Sequence, residues 1–434
     1  MNDPDWSGRE LHFIAIGGAG MSGLALVCDR LGASVSGSDR AESSYLRRLR
    51  DAGIDARFGH DADAVPAAAE IVVSSAVAES NPELTRARER GQPVIRRGRL
   101  LAELCSQKRL IAVAGAHGKT TTAGMLAWAL PEAGFFLGGE LPGGGPEGDS
   151  ANARWGEGEW VIAEADESDA SFLELEPEVA VITNVELDHH ARWSSRAELL
   201  DAFRRFAGDA RGLALLADPG LDEIEAAQRT VRFDAERPGP PLRLGMPGAH
   251  NTLNARAALA ALELAGLGPL GPFAKRLERF PGIGRRQERK GARNGAEIYD
   301  DYAHHPTEVA ATLAALRELE PRRLIAVFQP HLYSRTKALA VRFGAALAAA
   351  DEIAVLDVYP AREQPVGELA GVSGLDVARA AADHAAGKPV WWLGGGESAA
   401  RALGPRLGDG DLLVTIGAGD VFLLADALVA GGQG

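Results

Sequence analysis

The sequence predicts an α/β fold of three domains, each built on a mostly parallel sheet. Short apolar runs typical of buried strands alternate with longer helical stretches along the whole chain, which is the pattern of β-α-β units. The 434 residues amount to about three domains of ordinary size. With 46% hydrophobic and 24% charged residues, the chain has enough apolar side chains for several cores and is too apolar to be disordered.

Two clusters of Gly and Pro, at residues 266–271 and 281–284, interrupt the alternation and separate the second domain from the third. We expect domains at residues 1–107, 108–280 and 281–434. The predicted strands are residues 11–16, 34–37, 71–74 and 93–95 in the first domain, 110–114, 160–164 and 179–183 in the second, and 297–299, 324–328, 352–356, 390–393 and 411–416 in the third. Predicted helices include residues 20–31 and 251–265, and the Gly- and Pro-rich residues 134–158 are predicted to form a surface loop.

Charge and cysteine content narrow the class of protein. The chain has 46 Lys and Arg against 60 Asp and Glu, a net charge of −14, which argues against binding to nucleic acid or to an anionic membrane. Its two cysteines, Cys28 and Cys105, predict a reducing compartment and no disulfide scaffold. The first residues lack a signal-peptide pattern, and no apolar run reaches the ~18 residues of a membrane helix. We therefore expect a soluble cytoplasmic protein.

A glycine-rich turn follows the first predicted strand. Gly18, Gly20 and Gly23 open a helix, and Asp39 ends the next strand. Glycines here let a phosphate approach the helix N-terminus closely. The general interpretation is a dinucleotide site with Asp39 on a ribose hydroxyl, so an NAD-dependent oxidoreductase is one hypothesis. The spacing alone is also compatible with another nucleotide or with a purely structural turn.

A second glycine loop lies between the strand at residues 110–114 and a helix. Its backbone N–H groups would hold phosphates, Lys119 would offset charge on the β- and γ-phosphates, and the Thr120 hydroxyl would meet Mg²⁺. The loop is two residues shorter than the general phosphate-binding pattern. Only six of the 46 basic residues are lysines, so a lysine in this motif is informative. We predict an ATP site formed by Gly115, Ala116, His117, Gly118, Lys119, Thr120 and Thr121.

Polar residues follow two further strands of the second domain. The acidic run that begins at Glu164 offers oxygen ligands to a hard cation, although a solvated acidic loop has the same composition. His189 and His190 follow the strand at residues 179–183, and at most one of two adjacent histidines is expected to bind a given metal.

Two asparagines lie three residues apart at the start of a predicted helix. Asn251 and Asn254 therefore share a helix face, and their amides could donate to and accept from a purine edge. Capping of the helix by Asn251 is equally compatible with the spacing.

The third domain has polar clusters that follow its predicted strands, where open α/β sheets bind ligands. A chance surface cluster is the alternative interpretation for each. The residues concerned are Arg285, Arg286, Asp301, Tyr302, His304, His331 and Arg335.

Taken in order, these motifs resemble those of the Mur ligase family. The matching segments are GGAGMSG, SGSD, GAHGKTTT, AEADESDASF, TNVELDHH, GAHNTLNA, DDYAHHPTE and FQPHLYSRT. The last two are most similar to the members that join L-alanine to the lactyl carboxylate of UDP-N-acetylmuramate in peptidoglycan synthesis. The resemblance implies an ATP-dependent ligase that works through an acyl phosphate, with ATP and Mg²⁺ as cofactors and these two small molecules as substrates. It also implies a Rossmann-like UDP-binding domain, a central P-loop ATPase domain and a C-terminal Rossmann-like domain.

The resemblance further implies a role for individual residues. ATP would contact the loop from Gly115 to Thr121 together with Asn251, Asn254, Arg285, Arg286 and Asp301. UDP-sugar contacts would come from Gly18, Ala19, Gly20, Met21, Ser22, Gly23, Asp39, Ser75 and His190. The metal ligands would be Thr120, Glu164 and His189. The amino-acid substrate would be bound by Tyr302, His304 and Arg335. The residues implied in catalysis are Lys119, Glu164, His189, His304 and Arg335.

Three departures from the family pattern bear on this assignment. Leu332 stands where Arg is usual, which removes a strong carboxylate contact from the amino-acid motif. Ala116 replaces a usual Thr, and residues 191–193 differ from the usual Asp-Thr-Tyr. Two further alternatives remain: a ligase that attaches a recycled murein peptide to the same sugar nucleotide, and an ATP-driven switch that catalyses no ligation.

Overall fold

The computed structural model describes residues 5–145, 148–187, 193–226, 228–361 and 363–431. Three sheets lie in this part of the chain, and the predicted α/β fold class is confirmed. The chain forms two compact units, of residues 1–244 with 252–281 and of residues 245–251 with 282–434. The first unit contains two of the sheets, and the second contains the third. The finer domain boundaries remain predictions.

The first sheet consists of five parallel strands. Its strands are β1 (Glu10–Ile14), β2 (Ser34–Asp39), β3 (Asp55–Phe58), β4 (Glu70–Val73) and β5 (Val94–Arg96), with helices α1 (Ala19–Arg30), α2 (Ser44–Asp51), α3 (Pro82–Glu89) and α4 (Arg97–Cys105). The order is β3-β2-β1-β4-β5. The connections leave β1 and β4 in opposite directions, and such a reversal opens a crevice at the carboxyl ends of the strands.

The second sheet has seven strands in the order β12-β11-β10-β6-β9-β7-β8. Its strands are β6 (Arg109–Ala114), β7 (Gly134–Leu141), β8 (Ala151–Arg154), β9 (Trp160–Glu164), β10 (Val179–Ile182), β11 (Gly212–Leu216) and β12 (Arg229–Phe233), and the helices from here to the third sheet are α5 (Lys119–Ala129), α6 (Arg196–Gly208), α7 (Ala249–Leu264) and α8 (Gly271–Leu277). Only β8 pairs antiparallel. The phosphate-loop strand β6 is therefore central in a parallel sheet.

The surface loop predicted at residues 134–158 is wrong. This stretch contains β7 and β8, which pair with each other. Phe135, Phe136 and Leu137 are buried, so apolar side chains hold the strand in place despite the glycines around it. Helix α1 of the first sheet packs on β8, since a Cβ on Gly23 would lie 2.8 Å from the Cβ of Ala153.

The third sheet has the order β13-β14-β18-β15-β16-β17, and only β13 is antiparallel to its neighbour. Its strands are β13 (Glu288–Arg293), β14 (Ala296–Asp301), β15 (Arg323–Phe328), β16 (Glu352–Leu356), β17 (Val390–Gly394) and β18 (Asp411–Ile416), with α9 (Pro306–Arg317), α10 (Tyr333–Leu347), α11 (Gly374–His384), α12 (Gly396–Leu403) and α13 (Phe422–Ala430). Side chains alternate across β15: Leu324 and Phe328 join one apolar cluster, Ile325 and Val327 the other. Both faces of the sheet are thus covered by helices.

Across the described ranges, the structure contains no helix with the length and apolar character needed to cross a membrane.

Candidate active site

The loop between β6 and α5 has the backbone geometry of a phosphate cradle. Gly115 has φ +132° and Gly118 has φ +83°, a region that residues with a Cβ rarely adopt. A Cβ on Gly118 would lie 2.5 Å from Oδ1 of Asn254, and one on Gly115 would overlap the Thr183 hydroxyl. The two glycines therefore allow the turn and its close packing.

The strand next to β6 fixes this loop through its carboxyl end. Thr183 follows β10 and donates a 2.6 Å hydrogen bond to the carbonyl of His117. Asn184 binds the same residue twice, because its Nδ2 donates to the His117 carbonyl at 2.8 Å and its Oδ1 accepts from the His117 N–H at 3.0 Å. The His117 ring pairs with Glu186 at 2.9 Å. The predicted phosphate loop is therefore held by side chains of the segment that follows β10.

Lys119, the first residue of α5, is largely but not fully buried at this loop, with its side chain 13% exposed. Its Nζ donates to the Gly115 carbonyl at 2.5 Å and lies 2.9 Å from Oε2 of Glu167. Burial lowers the pKa of Lys119, but the carboxylates of Glu167, Asp166 and Glu164 outweigh burial and hold it above its usual value. The lysine is therefore a fixed positive charge at the mouth of the cradle.

Thr120 and Glu164 form the predicted metal-binding pair. The Thr120 hydroxyl donates to Oε1 of Glu164 at 3.0 Å, and the backbone N–H of Gly138 donates to Oε2 at 2.8 Å. A hydroxyl and an oriented carboxylate beside a phosphate loop are the oxygen donors that Mg²⁺ prefers, so these residues fit the ion. The predicted ligand His189 and the predicted UDP-sugar residue His190 lie outside the described residues.

The acidic loop after β9 contains two carboxylates whose pKa values are shifted in opposite directions. Burial raises the pKa of Glu167, and Lys119 only partly offsets this. Burial also acts on Asp166, but Lys119 and Arg97 overcome it and bring the pKa of Asp166 below its usual value. The indole N–H of Trp193 donates to the Glu167 carbonyl at 2.9 Å. The loop after β9 is thus held by the contacts of Glu167 with Lys119 and with Trp193.

The glycine turn after β1 lies at the carboxyl edge of the first sheet with Asp39. One Asp39 oxygen accepts from the Gly17 N–H at 2.9 Å and the other from the Ala41 N–H at 3.0 Å. Helix α1 begins at Ala19 without a side-chain cap, so the first N–H groups of the helix remain available to an anion. Of the other predicted UDP-sugar residues, Gly18, Gly20, Met21 and Ser22 lie in or beside this first turn, and Ser75 is exposed after β4.

Asn251 and Asn254 have different surroundings, although they share a helix. Asn254 packs against Gly118 of the phosphate loop, as its Oδ1 position shows. Asn251 belongs to the second unit and donates to the Pro247 carbonyl at 2.7 Å and to Gln287 at 3.2 Å. The alternative that Asn251 caps the helix is wrong, because α7 already begins at Ala249.

A cluster of rings lies at the carboxyl edge of the third sheet. The Tyr302 and His304 rings, after β14, are 5.3 Å apart, and His304 is 6.3 Å from His331, which follows β15. His331 stacks at 5.8 Å on Tyr359, which follows β16. Arg335, on α10, places Nη1 3.4 Å from His331 Nδ1. The structure therefore brings together the three residues predicted to bind the amino acid.

Arg285 and Arg286 are adjacent but differ in how their charges are used. The Arg285 guanidinium donates to Asp300 at 3.0 Å and to the carbonyls of Gly417 and Gly419 at 2.7 and 3.2 Å. Arg286 lies over the Tyr302 ring at 5.0 Å. Arg285 is thus committed to holding β14 against the loop after β18, and Arg286 is the better candidate for a ligand.

Asp301 is a buried acid at the end of β14. It accepts N–H groups of Ala303 at 2.7 Å and Gln287 at 2.9 Å. Burial raises the pKa of Asp301 to about 6, although Arg286 and these two N–H groups act in the opposite direction. This carboxyl therefore titrates close to neutral pH.

Comparison with known proteins identifies the family. The model of the Mur ligase family, catalytic domain, matches residues 10–109, and that of the Mur ligase, glutamate ligase domain, matches residues 285–419. A UDP-N-acetylmuramate–L-alanine ligase of Mycolicibacterium vanbaalenii is 40% identical over 97% of this chain and 96% of its own. The chain belongs to the Mur ligase family.

Other Mur ligases agree with this assignment along the full length. A UDP-N-acetylmuramate–L-alanine ligase of Solidesulfovibrio magneticus is 41% identical over 95% of this chain and 96% of its own. The crystal structure of the UDP-N-acetylmuramate–alanine ligase of Thermotoga maritima superimposes with a TM-score of 0.83 at 27% identity, over 98% of this chain and 99% of that one. A murein peptide ligase of Psychrobacter arcticus shares the fold, with a TM-score of 0.72 at 22% identity over 98% of each chain.

Two contacts in this Mur ligase were not assigned a function from the sequence. Glu167 is one of several acids in the same run, and only the fold shows that it is the one that meets Lys119. Trp193 stands in a segment that departs from the family pattern, yet its indole holds the Glu167 backbone. Trp193 and Glu167 lie 26 residues apart in the chain, so the sequence carried no signal for this contact.

Proposed function

We propose that this Mur ligase joins L-alanine to the lactyl carboxylate of UDP-N-acetylmuramate and converts ATP to ADP and phosphate. The observation that carries the proposal is the phosphate loop, where buried Lys119 is fixed by Glu167 beside the Thr120–Glu164 pair. The full-length similarity to ligases of that name supports the choice of substrates.

The chemical difficulty is that a carboxylate is a poor electrophile with a poor leaving group. Transfer of the terminal phosphoryl group of ATP to a carboxylate oxygen gives an acyl phosphate and ADP. The alanine amine then attacks the acyl carbon, loses a proton, and the C–O bond to phosphate breaks to leave the amide. Phosphoryl transfer depends chiefly on positioning and charge stabilisation, which is what a rigid loop with a fixed cation provides.

We assign the charge compensation for ATP to the loop itself. In a chain of net charge −14, two anionic substrates need local positive charge, and Lys119 supplies it for the β- and γ-phosphates. Thr120 and Glu164, with His189 as a further predicted ligand, would hold Mg²⁺. When bound, Mg²⁺ neutralises phosphate charge and orients the transferred group. Asn254 beside Gly118, together with Asn251, Arg286 and Asp301 of the second unit, remains our proposal for the rest of the ATP site.

We assign the sugar nucleotide to the carboxyl edge of the first sheet and alanine to the carboxyl edge of the third sheet. The first turn of α1 with Asp39 would hold the UDP moiety, because uncapped N–H groups at a helix N-terminus bind phosphate. Tyr302, His304 and Arg335 would hold alanine, with Arg335 on its carboxylate and His304 steering or deprotonating its amine. The acyl phosphate hydrolyses in water, so closure of the domains before chemistry is expected.

The alternatives are less well supported. The alternative of an NAD-dependent oxidoreductase gives Lys119 and Glu164 no role. For the alternative of a murein peptide ligase, the ligase of Psychrobacter arcticus is similar in fold but has a lower sequence identity to this chain than the alanine ligase of Thermotoga maritima. Because the chain has only two cysteines, as is usual in a reducing compartment, we propose that the protein works in the cytoplasm.

The direct test is phosphate release from ATP and Mg²⁺, with UDP-N-acetylmuramate and L-alanine each omitted in turn. The proposal predicts release only when both are present, with a product heavier by one alanine residue. Release that needs the sugar nucleotide but not alanine would contradict the assigned amine and direct attention to Leu332. Phosphate release that requires neither the sugar nucleotide nor alanine would contradict the proposed ligase activity.

A further inference from the structure

Arg97 links the two substrate sites of the first unit. It is the first residue of α4, and its Nη1 lies 3.3 Å from where a Cβ on Gly20 would stand. Its Nη2 lies 3.4 Å from Asp166 Oδ2 and 3.7 Å from Asp169 Oδ2. The guanidinium therefore lies between the glycine turn and the acidic loop beside Lys119.

The position of Arg97 is fixed, but within the described parts of the chain its N–H donors are only partly used. A Cβ on the next residue, Gly98, would overlap the side chain of Ser171, so α4 is packed tightly against the segment after the acidic loop. A strong guanidinium–carboxylate pair has N···O distances of about 2.7–2.9 Å, and both ion pairs of Arg97 are longer. A guanidinium has five N–H donors, and these ion pairs use only Nη2. Arg97 can therefore accept a further anion without leaving its place.

The charge around the glycine turn favours an anion at this point. The first turn of α1 contains no acidic residue, and the helix has no side-chain cap. Asp39, the carboxylate of the turn, is committed to the N–H groups of Gly17 and Ala41. The Arg97 guanidinium beside Gly20 therefore adds its charge to the partial positive charge of the first turn of α1.

We propose that Arg97 binds an oxyanion of the sugar nucleotide, either its diphosphate or its lactyl carboxylate. This inference rests on the proposed function, in which the sugar nucleotide extends from the glycine turn towards Lys119. Asp166 and Asp169 hold the guanidinium beside Gly20, and the oxyanion would bind the N–H donors that these two ion pairs leave unused. Arg97 is then a substrate-binding residue that sets how far the carboxylate reaches towards ATP.

The test compares Arg97→Gln with Arg99→Gln by isothermal titration on the full chain. Arg99 is an exposed residue of the same helix, so its variant makes the same change in net charge. The ligands are UDP-N-acetylmuramate, a UDP-sugar without the lactyl group, and a nonhydrolysable ATP analogue. Loss of a charged hydrogen bond predicts about 10- to 100-fold weaker binding of UDP-N-acetylmuramate by Arg97→Gln, with Arg99→Gln within about twofold of the wild type.

The second UDP-sugar identifies the oxyanion. Equal weakening of both sugar nucleotides supports the diphosphate, and weakening of UDP-N-acetylmuramate alone supports the lactyl carboxylate. Binding of UDP-N-acetylmuramate at wild-type strength by Arg97→Gln would overturn the inference. An equal loss of affinity for the ATP analogue would also overturn it, because Arg97 would then act only through Asp166. Failure of the wild-type chain to bind UDP-N-acetylmuramate would contradict the proposed function and this inference with it.

Discussion

The ammonium of Lys119 lies 2.9 Å from Oε2 of Glu167, and both side chains are almost fully buried. Burying two charges costs more than an exposed pair would, and the cost is offset only when geometry and further hydrogen bonds are good. The carbonyls of Gly115 and Ala116 provide those bonds to Lys119. The loop cation is therefore oriented by the protein itself, and we take this preorganisation as the basis of the proposed phosphoryl transfer.

Replacement of Lys119 by Met is expected to lower kcat by at least about 10²–10³, since one preorganised charge at a transition state has this value. The same variant removes the positive charge that lies 2.9 Å from the buried Glu167 carboxylate, so the thermal midpoint should fall as well. Adding Glu167→Gln to Lys119→Met should restore the midpoint but not the activity. Lys275→Met, at an exposed lysine of α8, is the control; phosphate release and thermal unfolding are the measurements. Normal turnover by Lys119→Met would rule out its role.

Glu164→Gln is expected to raise the Mg²⁺ concentration needed for half-maximal activity by about 10-fold or more, because a hydrogen bond or ligand contact to a charged oxygen is lost. The exposed Glu176→Gln makes the same change in charge a few residues along and should leave the Mg²⁺ titration unchanged. The measurement is initial rate against Mg²⁺ at saturating ATP. Superimposable titrations for the wild type and Glu164→Gln would exclude Glu164 as a ligand.

Arg335→Gln should raise KM for L-alanine about 10- to 100-fold and leave KM for ATP nearly unchanged, because the contact assigned to it is with the amino-acid carboxylate. Lys337→Gln, at an exposed position of the same helix α10, controls for the lost charge. Steady-state kinetics with each substrate varied separately gives the answer. Equal changes in both KM values would indicate that the variant disturbs the fold of the third sheet instead.

His304→Gln tests the hypothesis that this ring steers or deprotonates the alanine amine. Nδ1 of the ring lies 3.1 Å from the Tyr302 carbonyl, and this contact orients the ring. General-base catalysis contributes about 10²–10⁴ in rate, and a loss of that size with a changed pH–rate profile is expected. His384→Gln, at an exposed histidine of α11, is the control. An unchanged profile and rate for His304→Gln would refute the role.

The raised pKa of Asp301, about 6, predicts a pH-dependent loss of stability. The folded state binds the proton of Asp301 more tightly than the unfolded chain does. The stability that comes from this proton is therefore fully present below the unfolded pKa and is lost as pH rises through about 6. Between pH 5 and 7 the wild type should lose about 1 kcal/mol relative to Asp301→Asn, about 2–4 °C in thermal midpoint. The control variant Asp383→Asn changes an exposed acid, and its thermal midpoint should depend on pH as that of the wild type does. Parallel curves for wild type and Asp301→Asn would contradict the buried titration.

The fold class and most central strands could be predicted because buried parallel strands are continuous apolar runs. The predicted strands at residues 160–164, 352–356 and 411–416 coincide with β9, β16 and β18. Edge strands are harder to recognise. Charged residues interrupt the edge strands β12, Arg229–Phe233, and β13, Glu288–Arg293, and glycines lie within the inner strand β7. In these places packing against neighbours decides the structure rather than the local pattern.

The candidate site could be predicted where the chemistry depends on one motif. The phosphate loop was predicted from residue type and position, and the Thr120–Glu164 pair from the family resemblance; the structure brings that pair within 3.0 Å. Contacts between segments that lie far apart in the sequence could not be predicted in this way. The commitment of Arg285 to Asp300 and the place of Arg97 beside Gly20 depend on how loops from different strands meet.

The most direct test of the central claim is isotope transfer from UDP-N-acetylmuramate labelled with ¹⁸O in both oxygens of its lactyl carboxylate. If ATP activates that carboxylate for attack by alanine, each turnover moves one ¹⁸O into the released phosphate and leaves the other in the new amide. Mass spectrometry of both products measures this at once. Phosphate that carries no ¹⁸O while the amide forms would contradict activation through an acyl phosphate.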